Sequence, residues 1–162
     1  MDGLYASLYF HGAVKKAIHL VKFDHVSDLI PSLISVAFPT LPRYLTGFDF
    51  LVPVPLHRKR EKERGFNQSG LIAKNIGNKF RIPIHNLLIR NKYTKAQANL
   101  KLANRKENVK NVFIYGSNLD ISGKSVILVD DVATSRLTII ECAKVIKRNG
   151  AKRVWGLVIA HG

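Results

Sequence analysis

The sequence predicts an α/β fold, a parallel sheet flanked by helices, in a single domain. Three observations predict it. Short apolar runs bounded by turn residues alternate with amphipathic stretches along the chain. The strongest runs, "SVILV" and "VWGLVIA", are apolar on both faces, which suits strands covered by helices on two sides. The chain has 162 residues, 46% hydrophobic and 23% charged, enough for one domain to bury a core without staples.

The elements follow in order. "LYFHGAVKKAIHLVKF" sets Leu8, Val14, Ala17, Ile18 and Val21 at helical spacing, with Lys15, Lys16 and Lys22 mostly off that stripe. A second helix is expected over "VSDLIPSLISVAF", entered near Ser27 with Pro31 in its first turn. Residues 1–48 thus read as a helical N-terminal part and 49–162 as the α/β core of one domain. "FDFLVPVP" reads as a short buried strand stopped by Pro53 and Pro55. "LHRKREKERGFNQSG" reads as a polar loop crowded with cations, and "NQSGLIAKNIGNKF" as an amphipathic helix. "IHNLLIRNKY" and "VFIY" read as strands; between them "TKAQANLKLANRKENVKN" is cationic, partly helical or mobile. "SVILVDD" gives the strongest strand signal. It leads to a helix from about Leu137 to Asn149, capped by Gly150, and to a last strand, "RVWGLVIA".

Against 26 Lys and Arg stand 11 Asp and Glu, a formal net charge of +15. That balance favours anionic partners: a phosphorylated small molecule, nucleic acid or an acidic protein face. Cys142 is the only cysteine, which excludes a disulfide framework and a cysteine zinc site; in its apolar stretch it reads as a buried, inert thiol. The apolar runs are too short to span a bilayer, and the start lacks the order of a signal peptide. A reducing, cytoplasmic setting is the expectation.

The chemistry concentrates in "GKSVILVDDVATSRLTIIECAKVI", where an apolar strand runs into Asp130 and Asp131, followed by a loop of small hydroxyl residues and a helix. The first turn of a helix offers unpaired N–H groups and the positive end of a dipole, a ready phosphate site, and Thr134, Ser135 and Thr138 add hydroxyl donors. Phosphate beside carboxylates is unfavourable: like charges about 4 Å apart repel by roughly 1 kcal/mol in water and about 4 at intermediate dielectric. Ribose hydroxyls, which donate to carboxylates, or a Mg²⁺ ion between the two relieve this. A sugar with a phosphate on one side and a diol on the other satisfies both halves of the motif. The "GKS" at Gly123–Ser125 precedes its strand and lacks the upstream glycine, so it is not a nucleotide-hydrolase phosphate loop. A receiver domain carries such acids on its first strand, not near the chain's end. A solvated acidic turn capping the next helix is the plain structural alternative.

"VILVDDVATSRLT" resembles the phosphoribosyl-pyrophosphate (PRPP) motif, here residues 126–138, of type I phosphoribosyltransferases. With "LVPVPLHRKREKERGFNQSGLIAK", "QANLKLANRKENVKNVF" and "YFHGAVKKAIHLVKF", the chain resembles, over nearly its whole length, the ComF-type, competence-associated branch of that family. "RGFNQ" and the proline-rich strand before it are more specific to the branch than the aspartates. The branch often carries an N-terminal cysteine-rich zinc module, which this cysteine-poor sequence is expected to lack.

The resemblance implies that Asp130 and Asp131 hold the ribose hydroxyls, directly or through Mg²⁺, and are the catalytic acids of any transfer. It implies a 5′-phosphate loop at Ala133, Thr134, Ser135, Arg136, Leu137 and Thr138. The pyrophosphate side falls on Pro55, Leu56, His57, Arg58 and Arg64, whose cations with Mg²⁺ would stabilise the departing pyrophosphate. Gly65, Asn67, Gln68, Gln97 and Arg105 match the branch signature; a turn at Gly65 and a helix cap at Asn67 explain "GFN" equally well. The polar segment around Arg90, Gln97, Arg105 and Asn108 takes the place of a hood. Where relatives usually have glycine in the phosphate loop, this chain has Arg136, which either blocks close backbone approach or offers a guanidinium to the phosphate. The implied ligand is PRPP or another phosphoribosyl compound, transferred to or from a nitrogenous acceptor, with catalysis itself left open. The other implied class is a non-enzymatic DNA-uptake accessory that binds single-stranded DNA or a helicase-type partner. A homodimer is open in either case.

Overall fold

The computed structural model describes residues 1–24, 26–40, 42–93 and 110–162. Its centre is a four-stranded, all-parallel sheet made of β1 (Gly3–Tyr9), β2 (Phe50–Pro53), β5 (Ser125–Ala133) and β6 (Arg153–His161), in the order β1-β6-β5-β2. A separate antiparallel pair joins β3 (Leu88–Arg90) to β4 (Phe113–Tyr115). The helices are α1 (Gly12–Phe23), α2 (Leu29–Ala37), α3 (Arg58–Arg64), α4 (Gln68–Phe80) and α5 (Leu137–Arg148), and a 3₁₀ turn covers Arg43–Leu45.

Two apolar layers hold the sheet, one on each face. Val126, Leu128, Val154 and Val158 pack with Ile139, Cys142, Ala143 and Ile146 of α5. Ile127, Val129, Leu157 and Ile159 pack on the other face with residues of α1, α2 and α4. This alternation is why "VILV" and "LVIA" are apolar throughout: successive side chains enter opposite layers, and both layers are dry.

Three expectations change. The first residues form β1, an edge strand beside β6, so Leu8 belongs to a strand and α1 starts only at Gly12. As an edge strand β1 is partly buried on both faces, Leu4 and Ala6 against one layer and Tyr5 and Leu8 against the other, so its period-2 signal is weak. "RKREKER" is helix α3 rather than a loop, capped by His57 at its start and by Gly65 with φ 83° at its end. It buries no residue, so it has no apolar stripe to be read. "LIR" and "FIY" stand outside the parallel sheet as their own pair.

Candidate functional site

The carboxyl ends of parallel strands, where α/β sheets bind ligands, open here into a cleft of about 480 Å³. β5 does not stop at the acids but runs on to Ala133, which fixes Asp130 and Asp131 on a rigid strand at the cleft floor. Adjacent strand residues point to opposite faces, and the two carboxylates accordingly find different partners. Asp130 Oδ1 accepts from Ser69 Oγ at 2.7 Å and from the Asp131 N–H at 2.9 Å. Asp131, 5% exposed, accepts at Oδ1 from the Val132 N–H at 2.7 Å and at Oδ2 from Gln68 Nε2 at 3.3 Å. The Lys22 ammonium of α1 lies 2.9 Å from Asp131 Oδ1.

Burial, and next the charge of Asp131, raise the Asp130 carboxyl from 3.8 to about 6; the Ser69 hydroxyl and Lys22 pull it partly back. Burial also lowers the Arg64 guanidinium, an effect Asp131 opposes, and burial lowers Arg90. The cleft is therefore electrically divided: a carboxylate floor, with Lys15, Lys22, Arg60, Arg64 and Arg90 along its walls.

The hydroxyl loop sits at the mouth of α5. Ala133, Thr134, Ser135, Arg136 and Thr138 surround a small cavity next to Asp130, and Thr134 and Thr138 also face the large cleft; Leu137 opens the helix. Arg136 occupies the N-cap position of α5 with φ 57° and ψ −4°, the left-handed conformation that glycine adopts freely. The backbone thus keeps a glycine-like turn, and the departure at this position lies in the side chain.

On the opposite side, Pro55, Leu56 and Arg64 line the cleft, whereas His57 and Arg58 do not sit on its wall. His57 Nδ1 accepts from the Lys59 N–H at 3.2 Å and caps α3, and Arg58 is exposed. Asn67 caps α4 by accepting from the Ser69 N–H at 3.2 Å, and its Nδ2 donates to the Val54 carbonyl at 3.1 Å, tying the helix start to the strand end. Gln68 is buried, and its Oε1 makes no hydrogen bond. Gln97, Arg105 and Asn108 lie outside the described residues.

The sequence did not point to Phe10, Lys15, His19, Lys22, Phe23, Arg60 or Ser69 as cleft residues, and it placed Arg90 only in the hood segment. Ser69 follows the "GFNQ" signature directly, so the α4 N-terminus was the available signal. Lys22 carried one too, as a lysine off the apolar stripe of α1.

Sequence comparison gives a consistent picture. The chain is 35% identical over 114 residues to competence protein F of Haemophilus influenzae, covering 68% of this chain and 50% of that protein. It is 33% identical over 148 residues to DNA utilization protein YhgH of Escherichia coli K12, covering 86% and 64%. It is 29% identical over 143 residues to competence protein ComFC of Bacillus subtilis, covering 87% and 56%. The chain thus spans about half to two thirds of the length of these relatives. No family model matches. Among solved structures, glutamine PRPP amidotransferase from B. subtilis, complexed with ADP and GMP, superposes with a TM-score of 0.50 at 18% identity, over 82% of this chain and 25% of that one. That likeness is one of fold, the type I phosphoribosyltransferase fold. By the relatives it matches and by this fold, the chain belongs to the ComF-type, competence-associated family of phosphoribosyltransferase-like proteins.

Proposed function

We propose that the cleft binds a phosphoribosyl ligand, PRPP or a nucleotide, with its ribose hydroxyls on the acid pair. The observation that carries this reading is the Asp130–Asp131 floor between two anion-attracting walls. Carboxylates accept from sugar hydroxyls, the α5 mouth with Thr134, Ser135 and Thr138 takes the 5′-phosphate, and Arg60, Arg64 and Arg90 face a diphosphate.

Mg²⁺ fits this site as a companion of the ligand rather than as a resident ion. Among the described residues, no three His, Cys, Asp or Glu side chains gather as a metal-binding group. Both Asp131 oxygens already accept hydrogen bonds. A Mg²⁺ carried by a diphosphate would neutralise charge on the leaving group. The protein's own residues orient the sugar through Asp130 and Asp131 and attract the diphosphate through the arginines. The fixed charges are in place before any bond breaks, the arrangement that favours separating a cationic sugar from an anionic leaving group.

Calorimetric titration with PRPP, with and without Mg²⁺, tests the reading on the protein and on Asp131→Asn. Binding that disappears in the variant while its circular dichroism stays native supports it; equal affinity in both proteins overturns it.

A second reading has its own observation. Tyr93, half-exposed, meets the His57 ring at 5.1 Å, and Lys59 and Arg60 lie 5.2 and 5.4 Å from its ring centre. The Tyr93 and His57 rings beside cations of helix α3 have the composition of a single-strand binding surface. It agrees with the names of the relatives, DNA utilization protein and competence proteins. Single-stranded DNA binding that falls steeply with salt and weakens in Tyr93→Ala supports this role; binding unchanged by both rejects it.

A further inference from the structure

The two edges of the parallel sheet differ. At β2 the outer edge is closed: the Leu51 N–H donates to the Pro83 carbonyl at 2.8 Å, and the Leu51 carbonyl accepts from the His85 N–H at 2.9 Å. At β1 no strand among the described residues pairs with the outer side. The Phe10 N–H donates into β6, to the His161 carbonyl at 2.7 Å. Main-chain direction alternates along a strand, so Leu4, Ala6 and Leu8 turn their amides to β6 while Gly3 and Ser7 turn theirs outward. Among the described residues, neither Gly3 nor Ser7 makes a main-chain hydrogen bond on that side. Open edges are ordinarily guarded by a lysine, a proline or a bulge, and "GLYASLY" has no charge and no proline.

The helix beside this edge is equally bare of cations. Ser7 Oγ donates to the Ala37 carbonyl, and the Tyr5 and Phe38 rings lie 6.1 Å apart, which sets the end of α2 against β1. None of the chain's 26 Lys and Arg falls within residues 1–11 or 26–42, where Asp2 and Asp28 are the formally charged side chains. Apolar groups are nevertheless open to solvent there. Tyr9, at the end of β1, is 76% exposed, and Val36, on the last turn of α2, is 68% exposed. Two copies of a chain with a formal charge of +15 repel each other over most approaches; a cation-free apolar face with an open strand edge is where they meet at least cost.

We infer that this face is a homodimer interface in which the β1 strands of two copies pair antiparallel across a two-fold axis, with their α2 helices alongside. The same patch then serves both partners, and a two-fold axis normal to the sheet makes edge strands antiparallel. The two parallel sheets join into one continuous sheet whose halves run in opposite directions. The two clefts, each at the carboxyl ends of its own strands, therefore open at opposite ends of the dimer. The pairing is independent of which ligand the cleft binds.

Sedimentation velocity of the full chain over a concentration series, with and without nuclease, tests this. A reversible dimer is expected, unchanged by nuclease and held or tightened as salt screens the net charge. Val36→Lys and Tyr9→Lys each weaken it about ten-fold or more while circular dichroism stays native, because each substitution sets like charges across the two-fold. Ile114→Lys, at an exposed position of β4, leaves the dimer unchanged. Hydrogen exchange supplies a second readout: the Ser7 amide is protected at dimer concentrations and exchanges faster on dilution and in Val36→Lys. A monomer at every concentration overturns the inference, as does a dimer indifferent to both lysines or one dissolved by nuclease. A dimer in which the Ser7 amide exchanges at the monomer rate overturns the strand pairing.

Discussion

The ammonium of Lys22 and the carboxylate of Asp131 meet at 2.9 Å, joining the last turn of α1 to the strand that carries the acid pair. The contact ties the N-terminal helix to the site floor and places a positive charge inside the cleft. Lys22 is partly open to solvent and Asp131 is nearly closed off, so the pair is screened less than a surface bridge. A double-mutant cycle with Lys22→Met and Asp131→Asn is expected to return a coupling of about 1–2 kcal/mol in chemical denaturation. A coupling within error of zero shows that the contact carries no stability.

The Asp130 carboxyl gives a pH dependence with a definite sign. Its value in the folded protein, about 6, stands above its ordinary 3.8, so the folded state holds this proton more tightly than the unfolded chain. Its contribution favours folding at low pH and is lost as pH rises from about 4 to about 6, with an order-of-magnitude size of roughly 3 kcal/mol. Ligand binding runs the other way, because a sugar hydroxyl donates to the ionised carboxylate; affinity rises through about pH 6. Ser69 lowers this value by its hydrogen bond, so Ser69→Ala shifts the midpoint of the binding profile upward. A midpoint unmoved or moved down in that variant contradicts the assignment.

Arg136 keeps a glycine-like backbone while presenting a long cation at the α5 mouth. Relaxing its left-handed conformation with Arg136→Gly recovers about 1 kcal/mol in the folded state, offset by the freer unfolded chain, so the melting temperature changes little. The guanidinium is the part that matters for ligand: the variant is expected to bind PRPP or ribose 5-phosphate about five- to ten-fold more weakly. Tighter binding by the glycine variant means instead that the arginine obstructs the loop.

Two glycines of α4 predict opposite outcomes. A methyl group at Gly77 would meet the Ile82 carbonyl oxygen and Ile84 Cδ1, both at 2.8 Å, and the carbonyl belongs to backbone that cannot step aside. At Gly70 the nearest atom, Asn67 Cβ, lies 3.7 Å away. Gly77→Ala is expected to destabilise by about 1–3 kcal/mol, while Gly70→Ala is neutral or stabilising by up to about 1 kcal/mol. Thermal melts of the two variants side by side decide the matter.

The parts of the molecule legible in sequence are those whose signal is local. "VILVDD" announces a strand because both its faces are buried, and Asn67 announces α4 because capping involves only neighbouring residues. Helix α3 escaped because a helix that buries nothing has no periodic stripe. The site followed the same division. Asp130, Asp131 and the hydroxyl loop are contiguous in the chain and could be read there. Lys22, Ser69 and Arg90 come from three other elements, and only the sheet order brings them to the same cleft. His57 and Arg58 show the converse: the family resemblance put them on the pyrophosphate side, but neither lines the cleft, and His57 turns to the backbone at the start of α3.

The pairing of β1 with β6 joins Gly3 to Trp155 and Tyr9 to His161, while Asp2 accepts from the Val154 N–H at 2.7 Å and meets Lys147 at 2.8 Å. Such contacts span nearly the whole sequence, so the entropy of closing a very long loop stands between the unfolded chain and a finished sheet. During synthesis β1 leaves the ribosome before β6 and waits until that partner has emerged. Through that interval β1 is without the strand it pairs with. The acid pair lies on β5, which precedes β6 in the chain, but β1, from which α1 and Lys22 follow, is held in the sheet only once β6 is in place, so completion of the cleft comes late in the folding of this sheet.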